Sequence, residues 1–114
     1  MKFRNTEHET LYNALLEKDN THPDDMERKA LFYLLALIGG NVDKFYRFDG
    51  HYITPDANAP ELTSTGKRAL CLAFELFNGY YKHDKPCSVN QIMSGAGSYT
   101  EYFIEAIKIR YCGA

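Results

Sequence analysis

Long apolar runs are absent from this sequence of 114 residues. The longest, residues 30–38, contains nine residues, whereas a helix that spans a membrane needs about twenty. The N-terminal residues also lack the apolar stretch that a secretory signal requires. We therefore expect neither a membrane span nor an export signal.

Cysteine and tryptophan are scarce, since the chain has three cysteines and no tryptophan. Cys71, Cys87 and Cys112 form no Cys-x-x-Cys pair, and an odd number leaves at least one thiol unpaired if the chain is oxidised. We expect reduced thiols in a cytoplasmic protein, with Cys71 packed inside an apolar helix.

A strong excess of charge of either sign is missing as well. Thirteen Lys and Arg residues oppose fifteen Asp and Glu residues, and the formal net charge is -2. A dedicated nucleic-acid-binding domain is usually strongly basic, so the overall charge identifies no partner. The 45% apolar and 25% charged fractions are ordinary for a globular protein, and the length suits one domain over residues 1–114.

Apolar residues recur with helical spacing along most of the chain, which predicts four main helices and two short ones. Capping boxes and glycine stops set their ends. The first main helix begins at Glu7 after a Thr6–Glu9 box, and the second contains residues 30–38 and stops at Gly39. The third covers residues 66–78 after a cap at Ser64 or Thr65 and stops at Gly79, and the fourth follows a Ser98–Glu101 box. One short helix covers residues 42–46, and the other follows a Ser88–Gln91 box.

The predicted fold class is all-α, a compact orthogonal helical bundle with the helix at residues 66–78 in its centre. Between aromatic residues, Asp49-Gly50 is a typical two-residue hairpin turn, so a small β-hairpin is expected near residues 46–54. Both apolar helices are expected inside the domain. A symmetric dimer that buries the same apolar face is left open.

Three polar residues, Arg68, Glu75 and Asn78, recur on one stripe of the third main helix. They either form an ion-pair network between helices or line a pocket, and we expect the network. His22, His51 and His83 lie in predicted loops, where an exposed histidine is unremarkable. We therefore predict no catalytic, cofactor-binding or metal-binding residue.

The aromatic content, with nine Tyr and seven Phe, is the unusual feature of the composition. Aromatic side chains outside the helical core stripes are candidate anchors for a protein partner. A local excess of lysine and arginine similarly makes a candidate contact for nucleic acid. The partner-binding candidates are Phe45, Tyr46, Phe48, Tyr52, Tyr80 and Tyr81, and the nucleic-acid candidates are Lys67, Arg68, Lys82 and Lys85.

Five stretches together resemble a family of small proteins of unknown function from Gram-positive bacteria and their mobile elements. They are EHETLYNALL at residues 7–16, ALFYL at 30–34, FDGHYITP at 48–55, LAFELFNG at 72–79 and YFIEAIKIRY at 102–111. The resemblance covers almost the whole chain and implies a single intact cytoplasmic domain. It assigns no activity and no functional residue.

A complete predicted core without a catalytic constellation leads us to expect a non-enzymatic protein-interaction module. It would be an accessory or inhibitor protein of a phage or other mobile element that occludes a host macromolecule. The alternatives are a weak nucleic-acid-binding regulatory protein and a small enzyme that uses the polar stripe as a pocket wall. No cofactor and no membrane contact are expected.

Overall fold

The computed structural model describes residues 1–54, 60–77 and 88–113. Within these ranges the chain folds into five α-helices and a two-stranded antiparallel hairpin, which confirms the predicted all-α bundle with a small hairpin. No helix in them is long and apolar enough to cross a membrane. The elements are α1 (Thr6–Asp19), α2 (Met26–Ile38), β1 (Tyr46–Arg47), β2 (Tyr52–Ile53), α3 (Ser64–Leu76), α4 (Val89–Ser94) and α5 (Thr100–Cys112), with 3-10 turns at Val42–Lys44 and Gly97–Tyr99.

Helix α2 lies at the centre of the bundle and packs against α1, α3 and α5. Residues 30–37 are all buried, because the sequence there is apolar around the whole circumference and every face needs a neighbour. Burial of each large apolar side chain stabilises the fold by about 1.5–3 kcal/mol. The expectation that α3 is the central helix is wrong, since α3 keeps Lys67 exposed and Arg68 and Glu75 half-buried.

The helix ends follow the predicted signals only in part. The Ser88–Gln91 capping box is present, and Gly39 ends α2 with a φ of 74°. Helix α1 is instead capped by Asn5, whose side chain accepts the His8 amide at 2.9 Å. The predicted Thr6–Glu9 box is therefore wrong, and so is the predicted cap of α3, which is Thr63. The predicted Ser98–Glu101 box is also wrong, since α5 follows a 3-10 turn and has no side-chain cap. Helix α3 ends at Leu76 rather than Asn78, and Gly79 lies outside the described residues.

The N-terminal segment closes the core over a buried histidine. His8 is 3% exposed, its Nε2 bonds the Tyr33 carbonyl at 2.9 Å, and its Nδ1 accepts the Arg4 amide at 3.1 Å. The Phe3 ring packs edge-on against the imidazole at 5.2 Å. These partners require the neutral ring with its proton on Nε2. Burial lowers the pKa of His8 below its ordinary value.

Acidification should therefore destabilise the fold through His8. Because its native pKa is lowered, the unfolded chain takes up a proton near pH 6.5 while the native chain does not, so this stabilisation is complete above that pH and lost below it. The slope is at most about 1.4 kcal/mol per pH unit for one proton. Denaturant titrations from neutral to mildly acidic pH should show this slope, and His8→Gln should flatten it. An unchanged slope in the variant would assign the effect to another group.

The cysteines differ from expectation at one position. Cys71 is disulfide-bonded rather than a reduced thiol, whereas Cys112 is free and exposed at the end of α5. A covalent bond constrains the unfolded chain and thereby stabilises the fold. This bond could not be predicted from the sequence, because the spacing of three cysteines does not determine their pairing.

Thiol titration of the unfolded protein without reductant tests this bond. A disulfide removes two thiols, so we expect fewer reactive groups than the three cysteines of the sequence. The same titration after reduction is the control and should recover all three. Three thiols before reduction would contradict the bond.

Candidate functional site

The carboxylate of Asp19, at the end of α1, is the centre of a buried polar network. Its side chain is 1% exposed. Oδ1 accepts hydrogen bonds from the Tyr46 hydroxyl at 2.9 Å and from His51 Nδ1 at 2.7 Å. Oδ2 accepts the Thr21 hydroxyl at 3.1 Å and lies 3.6 Å from Nε of Arg28. Every nearby group therefore donates to the carboxylate or balances its charge.

Arg28 joins the start of α2 to the hairpin. Its Nε donates to the Tyr46 hydroxyl at 3.1 Å, its Nη1 to Asp25 at 3.0 Å, and its Nη2 to the His51 carbonyl at 2.8 Å. Burial acts to lower the pKa of the guanidinium, but the hydrogen bonds to Tyr46 and Asp25 raise it by more. For Tyr46 itself, burial raises the pKa to about 12, so the phenol stays protonated and can donate to Asp19.

The hairpin loop differs from the predicted Asp49-Gly50 turn. Tyr46 pairs with Ile53 and Arg47 with Tyr52, which leaves a four-residue loop at positions 48–51. His51 carries the left-handed backbone conformation, with a φ of 57°. This conformation is strained for a residue with a side chain. The bonds from Arg28 and to Asp19 hold both the backbone and the ring of His51 in place.

The two side chains of the Asp19–His51 pair differ in solvent exposure. The His51 ring is 55% exposed while its carboxylate partner is 1% exposed. Since a carboxylate only accepts, the Nδ1 of His51 carries a proton, so the neutral form of the ring has its lone pair on Nε2. Within the part of the chain that the structure describes, no group is hydrogen-bonded to Nε2. A histidine oriented in this way can accept a proton or attack an electrophile.

An open groove of about 370 Å³ lies beside the same hairpin. The Lys18 ammonium sits 4.3 Å from the centre of the Phe48 ring, which forms part of the wall. The charged side chains of the groove form exposed ion pairs, Lys18 with Asp43 at 3.3 Å and Arg47 with Asp49 at 3.4 Å. The lining residues are Lys18, Asp43, Tyr46, Arg47, Phe48 and Asp49.

The aromatic partner-binding candidates divide into core and surface. Phe45 and Tyr46 are 3% and 0% exposed, so in this fold they belong to the core. Phe48 is half-buried because its ring stacks on Phe32 at 6.0 Å. Tyr52 is 52% exposed, so the hairpin presents this aromatic side chain to solvent. Tyr80 and Tyr81 lie outside the described residues.

Arg68 ties α3 to α4. Its Nε donates to the Gln91 carbonyl at 2.9 Å, and its guanidinium also bonds Ser64. The same guanidinium lies against Gly95, where a Cβ would come within 2.1 Å of it. These contacts of Arg68 are hydrogen bonds to the Gln91 carbonyl and to Ser64 rather than the expected ion pair, and Glu75 on the same stripe is half-buried.

The structure describes only part of the remaining polar and charged candidates. Lys67 is exposed on α3, while Asn78, Lys82 and Lys85 lie outside the described residues. Among the residues that the structure describes, no group of three His, Cys, Asp or Glu side chains could hold a metal ion.

Sequence reasoning missed the Asp19–His51 pair. The two residues are 32 positions apart, and no spacing rule connects them. One weak signal was available: an acidic residue in the last turn of a helix opposes the helix dipole, so it usually has compensating partners. Asp19 occupies such a position in α1.

The Tyr46 hydroxyl should contribute measurably to stability, because it donates to Asp19 and accepts from Arg28. Tyr46→Phe leaves both buried groups short of a partner and should cost about 1–3 kcal/mol of unfolding free energy. Tyr52→Phe is the matched control, since the Tyr52 side chain is half exposed, and should change stability by less than about 0.5 kcal/mol. Equal effects in denaturant titrations would show that the network does not hold the hairpin.

Comparisons with known proteins place the chain in a family but give no activity. The family model described as a family of unknown function, DUF6075, matches residues 1–114. Neither the curated proteins nor the solved structures contain a match. The resemblance expected from the sequence is thus confirmed as to family: the chain belongs to DUF6075, a family of unknown function.

Proposed function

We propose that this protein is a non-enzymatic interaction module that binds another protein through its hairpin face, meaning Tyr52, Phe48 and the groove beside them. The observation that carries the proposal is the exposed Tyr52 ring on a hairpin that is tethered to the bundle. Tyrosine is enriched among the residues that contribute most to binding energy at protein interfaces.

Rigidity of the hairpin supports this function. Hydrogen bonds at His51 and Tyr46 hold the loop and the first strand on α1 and α2. A surface that is already ordered loses little conformational entropy when it binds. The Tyr52 ring also lies over Gly50, where a Cβ would come within 2.3 Å of it, so the ring has a defined position.

The proposal extends to the biological setting expected from the sequence. The module would be a bacterial accessory or inhibitor protein of a phage or mobile element that occludes a host macromolecule. A cytoplasmic location is part of this proposal and rests on the family resemblance. Cell fractionation tests this location directly, because disulfides such as the one at Cys71 are typical of oxidising compartments.

The alternatives predict different binding behaviour. Among the nucleic-acid candidates that the structure describes, Lys67 is the exposed one, because the guanidinium of Arg68 is already bonded to α4; Lys82 and Lys85 lie outside the described residues. Such binding falls steeply with salt concentration. Self-association of the hairpin face would appear as a dimer in light scattering.

Tyr52→Ala should weaken capture of a partner from a nuclease-treated lysate of the source organism. A tyrosine at the centre of an interface contributes on the order of 2 kcal/mol, so we expect at least about a tenfold loss of captured partner. Tyr111→Ala is the matched control, because Tyr111 is 67% exposed on α5, away from the hairpin. Circular dichroism should show both variants folded.

Three results would contradict the proposal. Equal capture by wild type, Tyr52→Ala and Tyr111→Ala would remove the hairpin face. Recovery of no partner at any salt concentration would count against a binding module as such. Retention of DNA or RNA at low salt, abolished by Lys67→Ala, would favour the nucleic-acid alternative.

A further inference from the structure

His51 differs from the other histidines of the described chain in which ring nitrogen is free. His8 and His22 both accept a backbone amide at Nδ1, at 3.1 Å from Arg4 and 3.0 Å from Asp24. An imidazole that accepts at Nδ1 carries its proton on Nε2 when neutral. In His51, Nδ1 donates its hydrogen bond to the buried Asp19 carboxylate at 2.7 Å, so the neutral ring has its lone pair on Nε2.

The same three histidines also differ in solvent exposure. His8 is buried and both of its nitrogens are bonded, so it cannot react. His22 is 73% exposed, but Asp24, the acidic residue near it, is itself exposed and 3.9 Å away. His51 combines an open ring with a carboxylate that is 1% exposed. That carboxylate stabilises a positive charge on the ring more strongly than an exposed one, because the dielectric around it is lower.

We propose that His51 is a phosphoryl-acceptor site, whose Nε2 takes a phosphoryl group from a donor with a labile phosphorus–nitrogen or acyl-phosphate bond. Phosphoryl transfer depends mainly on positioning and electrostatics, and a fixed, exposed lone pair supplies the first. The buried Asp19 carboxylate supplies the second, because it pairs with positive charge that forms on the ring. This site is independent of the proposed partner.

The phosphoryl transfer needs no oxidant or reductant. With phosphoramidate as donor, the Nε2 lone pair attacks phosphorus, the new nitrogen–phosphorus bond forms, and the bond to the donor nitrogen breaks. The donor nitrogen leaves as ammonia with the protons it already carries. Nδ1 keeps its proton, and the positive charge that develops on the ring is paired with Asp19.

Potassium phosphoramidate is the probe for this site. Incubation of the full chain, followed by intact mass and peptide mapping, should show one phosphoryl group on His51, formed at least about tenfold faster than any label on His22. His51→Asn should abolish that label while the fold is kept, because asparagine tolerates the left-handed backbone and its amide can still donate to Asp19. His22→Asn is the matched control and should leave the rate on His51 unchanged.

Asp19→Asn tests the role of the carboxylate as a positioning group. An amide in its place no longer fixes the proton on Nδ1, so labelling of His51 should slow by about tenfold or more. If this variant does not fold, the labelling rates of His51 and His22 in the unchanged chain still decide. Equal rates on His51 and His22, or labelling of His51 that is as fast in a folded Asp19→Asn protein, would overturn the proposal.

Discussion

The buried carboxylate of Asp19 constrains the half of the molecule that carries the hairpin. Removing a charged group from water costs several kcal/mol unless donors surround it, and breaking such a network is strongly destabilising. The donors here come from the loop after α1, from α2, from β1 and from the hairpin loop, through Thr21, Arg28, Tyr46 and His51. Satisfying one carboxylate therefore requires all four segments to be in place together.

That requirement explains how so small a hairpin is ordered. The two strands share only two residue pairs, and an isolated hairpin is marginally stable at best in water. Tyr46 anchors it twice, since its ring packs edge-on against Phe32 at 5.0 Å and its hydroxyl reaches Asp19. The central helix α2 supplies Phe32 and Arg28, so the apolar core and the polar network are built on the same element.

The sequence allowed the helices to be predicted, because helical periodicity and capping are local properties. The buried run at residues 30–38 and the Gly39 stop are of this kind. Contacts between distant residues could not be predicted in the same way. The sequence predicts Tyr46 as a surface anchor, because it does not show that the hydroxyl has a buried acceptor 27 positions away. For the same reason it predicts His51 as an ordinary loop histidine.

The left-handed backbone conformation of His51 is the strongest argument that the network around Asp19 has a role beyond stabilising the fold. A glycine adopts that conformation without strain, and Gly50 is the adjacent residue, yet the positive φ falls on His51. Stability alone would favour glycine or asparagine there, and an apolar replacement of the buried polar groups is often neutral or stabilising. A strained, tethered histidine with one nitrogen held by a buried carboxylate and the other facing solvent is better explained by what its exposed nitrogen can bind or accept.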